Sequence, residues 1–175
     1  MEDKKFTIQE ASFSDYSFVK ELMIKALKDD PLAFSVDYEE YAFNSEEWWR
    51  SYLTGFLYRI NSVLFLAKSK GTVVGMIGII FEKKNRRTHL CSLVWFYVDK
   101  EYRALGIGKL LMNRALNEIN SKKTVIKISL IMNTPQLVAL NIYTSFGFKI
   151  VGTLKKEMKI NNEFIDEYIL EKILI

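Results

Sequence analysis

The sequence predicts an α/β protein in which helices flank one mixed β-sheet, with elements in the order β-α-α-β-β-β-α-β-α-β-β. A buried strand, a glycine-bearing turn, an amphipathic helix and another strand follow one another in mid-chain. That sequence of elements predicts a right-handed parallel crossover. The segments on either side are typical of hairpins, so the other strands are expected to be antiparallel. Residues 1–175 are predicted to form one domain, since the length suits one core and no linker or repeat is visible.

The first part of the chain is predicted to contain a strand and two helices. Residues 6–11 alternate polar and apolar side chains, which is typical of a short strand. Ser14 is predicted to cap a helix that ends near Pro31. Asn44, followed three residues later by Glu47, matches a capping box at the start of a second, tryptophan-bearing helix.

Three strands and a helix are predicted in the middle of the chain. Residues 63–67 and 72–81 form a predicted hairpin around Gly71. Residues 90–98 are rich in β-branched and aromatic side chains, as expected of a buried strand. Apolar residues within 110–119 lie on one face of the helix that follows the glycine turn.

The last part of the chain is predicted to add a strand, a helix and a hairpin. Residues 124–132 alternate as a strand does. Thr134 followed by Pro135 predicts a helix start, and Gly147 predicts the end of that helix. The final hairpin has two predicted strands, residues 148–160 and 164–173.

Composition narrows the function. The chain has 175 residues, a net charge of +4, one cysteine (Cys91) and one histidine (His89), so we expect neither a disulfide framework nor a metal site. Cys91 is expected to be a packed small apolar residue. No apolar run has the length of a membrane span and the start is too charged for a signal peptide, so we expect a cytoplasmic protein with no membrane partner. The basic clusters carry no nucleic-acid-binding signature, and no nucleic-acid partner is expected.

The turn that begins at Arg103 is the strongest indication of a ligand. A P-loop would need glycine in place of Arg103, and the dinucleotide fingerprint would need a third glycine in place of Leu111. What remains is Arg103-x-x-Gly106-x-Gly108 at the start of a helix, where free N–H groups and the helix dipole favour an anion. The glycines would let a pyrophosphate approach the backbone. The alternative is an ordinary strand-to-helix turn with structural glycines.

Residues 103–108 resemble the acyl-CoA pyrophosphate signature, Gln/Arg-x-x-Gly-x-Gly/Ala, of the GNAT superfamily of N-acyltransferases. The stretch MNTPQLVALNIYTSFGF resembles that family's second hallmark, N-x-x-A-x-x-L-Y-x-x-x-G-F, with Gln136 in place of asparagine and Ile142 in place of leucine. The closing hairpin is also similar to the family's. The resemblance extends from about the second strand to the end of the chain, and it implies a GNAT-like fold in which strands four and five splay apart.

The resemblance also implies a site for acetyl-CoA. Backbone groups of residues 96–98 would bond the pantetheine arm, and an N–H near Val98 would polarise the thioester carbonyl. N–H groups of residues 104–109 would hold the pyrophosphate, Arg103 and Lys109 would add charge, and Tyr143 would protonate the leaving thiolate. The full set implied for cofactor binding is Phe96, Tyr97, Val98, Arg103, Ala104, Leu105, Gly106, Ile107, Gly108, Lys109, Gln136 and Tyr143, with Tyr143 also catalytic.

The acceptor implied is a primary amine of a small molecule or peptide. Residues 29–47 hold seven acidic and no basic side chains, which could attract a cationic amine, although a solvated acidic loop is the alternative. The aromatic residues that could wall its pocket are Phe34, Tyr38, Tyr41, Trp48 and Trp49. The general base stays open between Glu82, His89, a tyrosine and a chain of waters.

A second interpretation is a catalytically silent acyl-CoA-binding module. The fourth strand carries no carboxylate before Asp99, and Gln136 departs from the family's asparagine. The family resemblance also makes a homodimer possible.

Overall fold

A computed structural model describes residues 6–174 of the protein and contains one seven-stranded mixed sheet. The strands are β1 Phe6–Glu10, β2 Ser62–Ser69, β3 Thr72–Phe81, β4 Leu90–Val98, β5 Lys127–Asn133, β6 Lys149–Ile160 and β7 Glu163–Ile173. The helices are α1 Tyr16–Asp29, α2 Tyr38–Ala42, α3 Glu46–Leu57, α4 Ile107–Ser121 and α5 Leu137–Ser145. The sheet order is β1-β2-β3-β4-β5-β7-β6, and β4 and β5 form its parallel pair.

The predicted fold class and element order are confirmed, with one helix added. The addition is α2, a five-residue helix between the two predicted ones, with Glu39 and Glu40 in its first turn. So short a helix gives no periodic signal in the sequence and is held by packing of Tyr41 in the core beneath α1 and α3.

The predicted starts of the first two long helices are wrong by one or two residues. Ser12, not Ser14, starts the helical region: it forms a capping box with Asp15 around a 3₁₀ turn, and α1 follows. At α3 the cap is Ser45, whose hydroxyl accepts a hydrogen bond from Trp48 N–H at 3.2 Å. Asn44 instead donates its side-chain amide to the Glu40 carbonyl at 2.6 Å and so closes α2. In both cases a neighbouring serine, and not the predicted residue, occupies the N-cap position.

The predicted start of α5 is also wrong. The chain makes a turn after β5 in which Gln136 N–H donates to the Asn133 carbonyl at 3.2 Å, and Gln136 becomes the N-cap. Thr134 instead donates its own N–H to the Asp166 carbonyl of β7 at 3.0 Å. The predicted end is confirmed, since Gly147 follows the helix with a φ of +85°.

Two cores lie on opposite faces of the sheet. One packs α4 and α5 against the sheet and includes Leu111 and Tyr143, and the other lies under α1 and α3 and includes Trp49. Strand β4 serves both, because its side chains alternate between the faces. Within residues 6–174, no helix is both long and apolar enough to cross a membrane.

A β-bulge changes the alternation near the end of β4. Val94 pairs with Gly78 and Tyr97 pairs with Met76, so β4 has one residue more than β3 in this interval. Trp95 adopts a φ of +55°, which is rare for a bulky side chain. As a result Val94 and Trp95 both contact the core under α1 and α3, whereas Phe96 contacts the core under α4 and α5.

Strands β4 and β5 separate soon after they begin. Their parallel pairing covers Leu90 with Lys127, Cys91 with Ile128 and Ser92 with Ser129. Beyond these pairs β4 continues to Val98 and β5 to Asn133, with β5 bonded only on its other side, to β7. The predicted splay is therefore confirmed, and it leaves a gap in the middle of the sheet.

The bulge gives a test of the packing. A Cβ added at Gly78 would lie 2.8 Å from Val94 Cγ2, whereas one at Gly152 would lie at an ordinary 3.5 Å from Ile169 Cδ1. We expect Gly78→Ala to lower the free energy of unfolding by about 1–3 kcal/mol, because valine cannot swing away from the added methyl group. Gly152→Ala is the matched control and should cost little. Urea unfolding checks both, and equal stability of the two variants would contradict the tight fit at Gly78.

Candidate active site

The glycine turn at the wide end of the gap has a backbone suited to an anion. Ala104 and Gly106 adopt φ values of +61° and +82°, and Gly106 is the N-cap of α4. The first helical hydrogen bond runs from Leu110 N–H to the Gly106 carbonyl at 3.1 Å. In the described part of the chain, the N–H groups of residues 104–109 have no backbone acceptor. A run of free N–H groups at a helix start provides the positive potential that a phosphate requires.

The two glycines of this turn serve different purposes. At Gly106 an added Cβ would meet nothing within 4 Å. Glycine is favoured there because φ is positive and because the backbone stays open to a ligand. At Gly108 a Cβ would lie 3.3 Å from Phe96 Cζ and 3.4 Å from Ile142 Cδ1. Gly108 therefore lets α4 pack closely against β4 and α5, a structural reason that the expectation of bare backbone for a ligand did not include.

The side chain of Arg103 turns away from the glycine turn. Its Nε donates to the Val98 carbonyl at 2.9 Å, and its Nη2 forms a 2.9 Å ion pair with Asp30. The guanidinium also lies 5.6 Å from the centre of the Tyr97 ring. The expected contribution of Arg103 to phosphate charge is not seen in this arrangement, whereas Lys109 is exposed at the turn.

Of the backbone positions predicted to bond a ligand arm, Val98 faces the gap. Asp99 N–H donates to the Val74 carbonyl at 2.9 Å, so residues 99 and 97 point their backbone groups towards β3. Val98 lies between them and points its N–H and carbonyl towards the gap. Tyr97 therefore cannot offer its backbone to a ligand in the gap, and its ring is buried under α1.

Tyr143 lies at the gap on the α4–α5 face. Its ring packs 5.6 Å from the Phe96 ring and 5.8 Å from the Phe148 ring. Burial raises the pKa of Tyr143 well above its usual value of about 10, so the phenol is protonated. Gln136 is half-buried at the N-cap of α5, about two helical turns before Tyr143. The structure thus brings Phe96, Gly108 and Tyr143 together.

The opposite face of the gap opens into a cavity of about 800 Å³. Phe34 and Tyr41 line it as predicted, together with Tyr52 and Trp95, which the sequence analysis did not identify. The other predicted wall residues pack elsewhere. Trp49 is fully buried under α1, and Trp48 stacks on Tyr52 at 4.8 Å. Tyr38 packs on the edge of the same core.

Two of the base candidates named from sequence, Glu82 and His89, are unsuited to the role. Glu82 lines the cavity, but its carboxylate accepts a hydrogen bond from Arg87 Nε at 2.8 Å. His89 stands at the start of β4, where the strands are still paired, and is not part of the cavity wall. Cys91 is buried and its pKa is raised to about 12 by burial, which fits the packed apolar role expected for it. Residues 6–174 hold no group of three or more His, Cys, Asp or Glu side chains that could bind a metal.

Sequence reasoning missed two polar residues of the cavity, Asn133 and Glu167, which face each other on β5 and β7. Asn133 Nδ2 donates to the Leu32 carbonyl at 2.7 Å, but its Oδ1 is buried without a hydrogen-bond partner. Glu167 is buried, and no side chain in residues 6–174 pairs with its carboxylate. Burial, and the charge of Glu157, raise its pKa above the usual value. In the sequence Glu167 is one of several polar residues on an alternating strand, so no local signal distinguishes it.

Fold and site together define an α/β protein with an extended slot between two parallel strands and a turn of free N–H groups at the end of that slot. The chain belongs to the acetyltransferase (GNAT) family, whose sequence model matches residues 23–148.

Two curated relatives are similar over part of the chain. The L-amino acid N-acetyltransferase AaaT of Escherichia coli (strain K12) is 28% identical over 103 residues, 59% of this chain and 63% of the relative. N-acetyltransferase 8 of Homo sapiens is 32% identical over 98 residues, 55% of this chain and 43% of the relative. The chain therefore matches less than two thirds of the length of either.

Solved structures share the fold over nearly the whole chain. An acetyltransferase of the GNAT family from Streptococcus pneumoniae has a TM-score of 0.85 and 23% identity, with 97% of this chain and 100% of that chain covered. The protein yncA from Salmonella typhimurium, solved with its cofactor acetyl-CoA, has a TM-score of 0.77 and 14% identity, with 98% and 95% covered.

The unpartnered carboxylate gives a prediction on stability. Because the pKa of Glu167 is raised in the folded state, the folded protein binds this proton more tightly than the unfolded chain, and stability falls as pH rises from the unfolded pKa through the folded one. We expect Glu167→Gln to melt at a higher temperature than wild type at pH 7, with the difference shrinking at pH 4. Glu171→Gln, which removes the 2.6 Å partner of Lys127, is the control and should bring no gain. A melting temperature of Glu167→Gln below that of wild type at pH 7 would refute the prediction.

Proposed function

We propose that this protein is an N-acetyltransferase that transfers the acetyl group of acetyl-CoA to a primary amine of a small molecule or peptide. The observation that carries the proposal is the gap between β4 and β5, with free N–H groups at its wide end. The family membership of residues 23–148 supports it, as do relatives named as N-acetyltransferases.

The residues present fit acetyl-CoA, which supplies the acetyl group as a reactive thioester. The N–H groups of residues 104–109 would hold the pyrophosphate, since Gly106 leaves their approach open. Exposed Lys109 would add a positive charge. The Val98 N–H faces the gap and would donate to the carbonyl oxygen as negative charge develops there. Gln136 would bond the arm from the start of α5.

Tyr143 would act as the general acid. A buried phenol that keeps its proton can donate a hydrogen bond to the departing sulfur, and its raised pKa makes complete transfer more uphill than for a free tyrosine. The hydroxyl has no partner within the described residues, so it is free to make this bond.

The cavity on the opposite face would hold the acceptor amine. Its aromatic wall of Phe34, Tyr41, Tyr52 and Trp95 suits the apolar body of such a molecule. Because one relative is named for L-amino acids, these compounds belong in the set to be tested. The single domain over residues 1–175, the cytoplasmic location and the possible homodimer stay predictions.

The proposal is tested by release of free thiol from acetyl-CoA across a panel of L-amino acids, polyamines and peptides, with coenzyme A binding measured by calorimetry. Binding with turnover of an amine is the expected result. Tight binding without turnover of any amine would favour the silent acyl-CoA-binding module. Absence of binding would overturn the proposal.

Gly106→Ala tests the turn. Because Gly106 has a positive φ, alanine in this conformation is less stable by about 1–2 kcal/mol. The turn should therefore relax to another conformation, and the affinity for coenzyme A should fall about tenfold. Binding of pantetheine, which lacks the pyrophosphate, should not change. Gly71→Ala is the matched control, since Gly71 has a similar φ of +86° in a remote hairpin and equally open space. Calorimetry measures the affinities, and equal loss for pantetheine would exclude a phosphate-binding role.

Tyr143→Phe tests the acid. Loss of the donor should lower kcat by about 10²–10⁴-fold, the usual contribution of a general acid. Coenzyme A affinity and melting temperature should stay close to wild type, because the hydroxyl has no protein partner to lose. Steady-state kinetics and calorimetry check this, and an unchanged kcat would remove Tyr143 from the mechanism.

A further inference from the structure

A buried amide oxygen without a hydrogen-bond donor and a carboxylate without an opposite charge stand side by side in the cavity. Asn133 is 4% exposed and Glu167 is 8% exposed, and both line the cavity wall. They are direct cross-strand neighbours on β5 and β7, so their side chains leave the sheet on the same face with Cβ atoms about 5 Å apart.

Their lack of partners is unusual for such burial. A buried acceptor without a donor, such as Asn133 Oδ1, costs about 1–3 kcal/mol. The partial loss of solvent at the Glu167 carboxylate adds a cost of the same sign. The other charged side chains of the cavity wall are paired, Glu82 with Arg87 at 2.8 Å and Glu171 with Lys127 at 2.6 Å. Among the charged side chains of the cavity wall that the structure describes, Glu167 alone has no oppositely charged partner.

The chemistry of the pair selects its ligand. A carboxylate beside an amide oxygen repels anions and offers a neutral alcohol only one useful bond, whereas an ammonium group has three donors and a positive charge. The aromatic rings of Trp95 and Tyr52, which line the same cavity, are also compatible with a cation.

We propose that Asn133 and Glu167 form the subsite for the ammonium group of the acceptor, and that Glu167 takes up its proton before acetyl transfer. The assignment rests on the proposed function. It provides the carboxylate that β4 lacks, from a strand two positions further along the sheet.

The proton balance is complete without any further reactant. One ammonium proton passes to the Glu167 carboxylate, directly or through one water, and leaves the amine with a free electron pair. That pair forms the new C–N bond while the C–S bond breaks. Tyr143 donates its proton to the departing sulfur. The second proton lost by nitrogen restores Tyr143 by way of solvent, and the Glu167 proton is released to solvent.

The surroundings of Glu167 favour proton uptake. Glu157 of β6 contributes negative charge, Asn133 is neutral, and the nearby cations Lys127 and Arg87 are each held by another carboxylate. Together with burial, these groups keep the pKa of Glu167 above that of a free glutamate. The pKa of Glu167 is therefore closer to the pKa of the ammonium group, which makes the proton transfer less uphill. Activity should therefore decline as acid protonates Glu167.

Carboxyl ¹³C resonances test the subsite without turnover. In protein labelled at glutamate, the Glu167 signal is identified by its absence in Glu167→Gln. We expect n-butylammonium chloride at pH 7 to displace this signal in a saturable manner, and n-butanol to leave it in place. Glu163→Gln, four residues before Glu167 on the same strand, exposed and outside the cavity, should retain the response. If n-butylammonium leaves the chemical shift of Glu167 unchanged, the proposal is overturned, whichever amine the enzyme acetylates.

Kinetics give the second test, with an acceptor found in the amine panel. Glu167→Gln should lower kcat/KM by about 10²-fold or more and remove the acid limb of the pH profile. Glu163→Gln, an exposed position of β7 outside the cavity, should stay close to wild type. The melting temperature and coenzyme A affinity of Glu167→Gln show whether the fold is intact. Amine turnover retained by Glu167→Gln would refute the subsite and leave the proposed function standing. A response to n-butylammonium without turnover of any amine by wild type would support the subsite and refute the proposed function.

Discussion

The separation of β4 from β5 after three paired residues is the constraint on which the site depends. Two strand edges in the middle of a sheet would normally satisfy each other's backbone groups, and leaving them apart is costly unless other partners are found. One partner is internal, since Arg103 donates to the Val98 carbonyl. The Val98 N–H remains, and at the end of the slot so do the N–H groups of the turn. The slot is therefore complementary to an extended, acceptor-rich molecule that ends in an anion.

The bulge at Trp95 determines what each face of the slot offers. By placing Val94 and Trp95 on one face, it returns Phe96 to the other, where the ring packs between Gly108 and Tyr143. Tyr143 and Glu167 then approach the slot from opposite faces, and both are biased towards their protonated forms by burial. The proposed donor for the leaving group and the proposed acceptor for the amine proton are thus kept apart, so they would not neutralise each other before the reaction.

Elements defined by local pattern were predictable, and those defined by distant contacts were not. β4 and the final hairpin follow from alternation and turn residues, and the predicted β4 range is confirmed. Cap choice failed at Ser14, Asn44 and Thr134, because adjacent polar side chains compete and packing decides among them. The glycine turn is a local feature, so the sequence located it, although the packing role of Gly108 needed the structure. The pairing of Asn133 with Glu167 joins residues that lie on separate strands, and one sequence gives no sign of it.

Asn133 connects the cavity wall to the segment after α1, which also lines the cavity. Its amide nitrogen holds the Leu32 carbonyl, which fixes the turn after α1, while its oxygen is left without a partner beside Glu167. β5 and β7 are bonded to each other along the full length of β5, so both side chains project from rigid backbone and not from a loop. The Asn133 and Glu167 side chains therefore lose little conformational entropy when a ligand binds. In the proposed subsite, the stability that the fold gives up by burying an unpaired carboxylate would be recovered when a cation binds, so the energetic cost of the site would also give its selectivity.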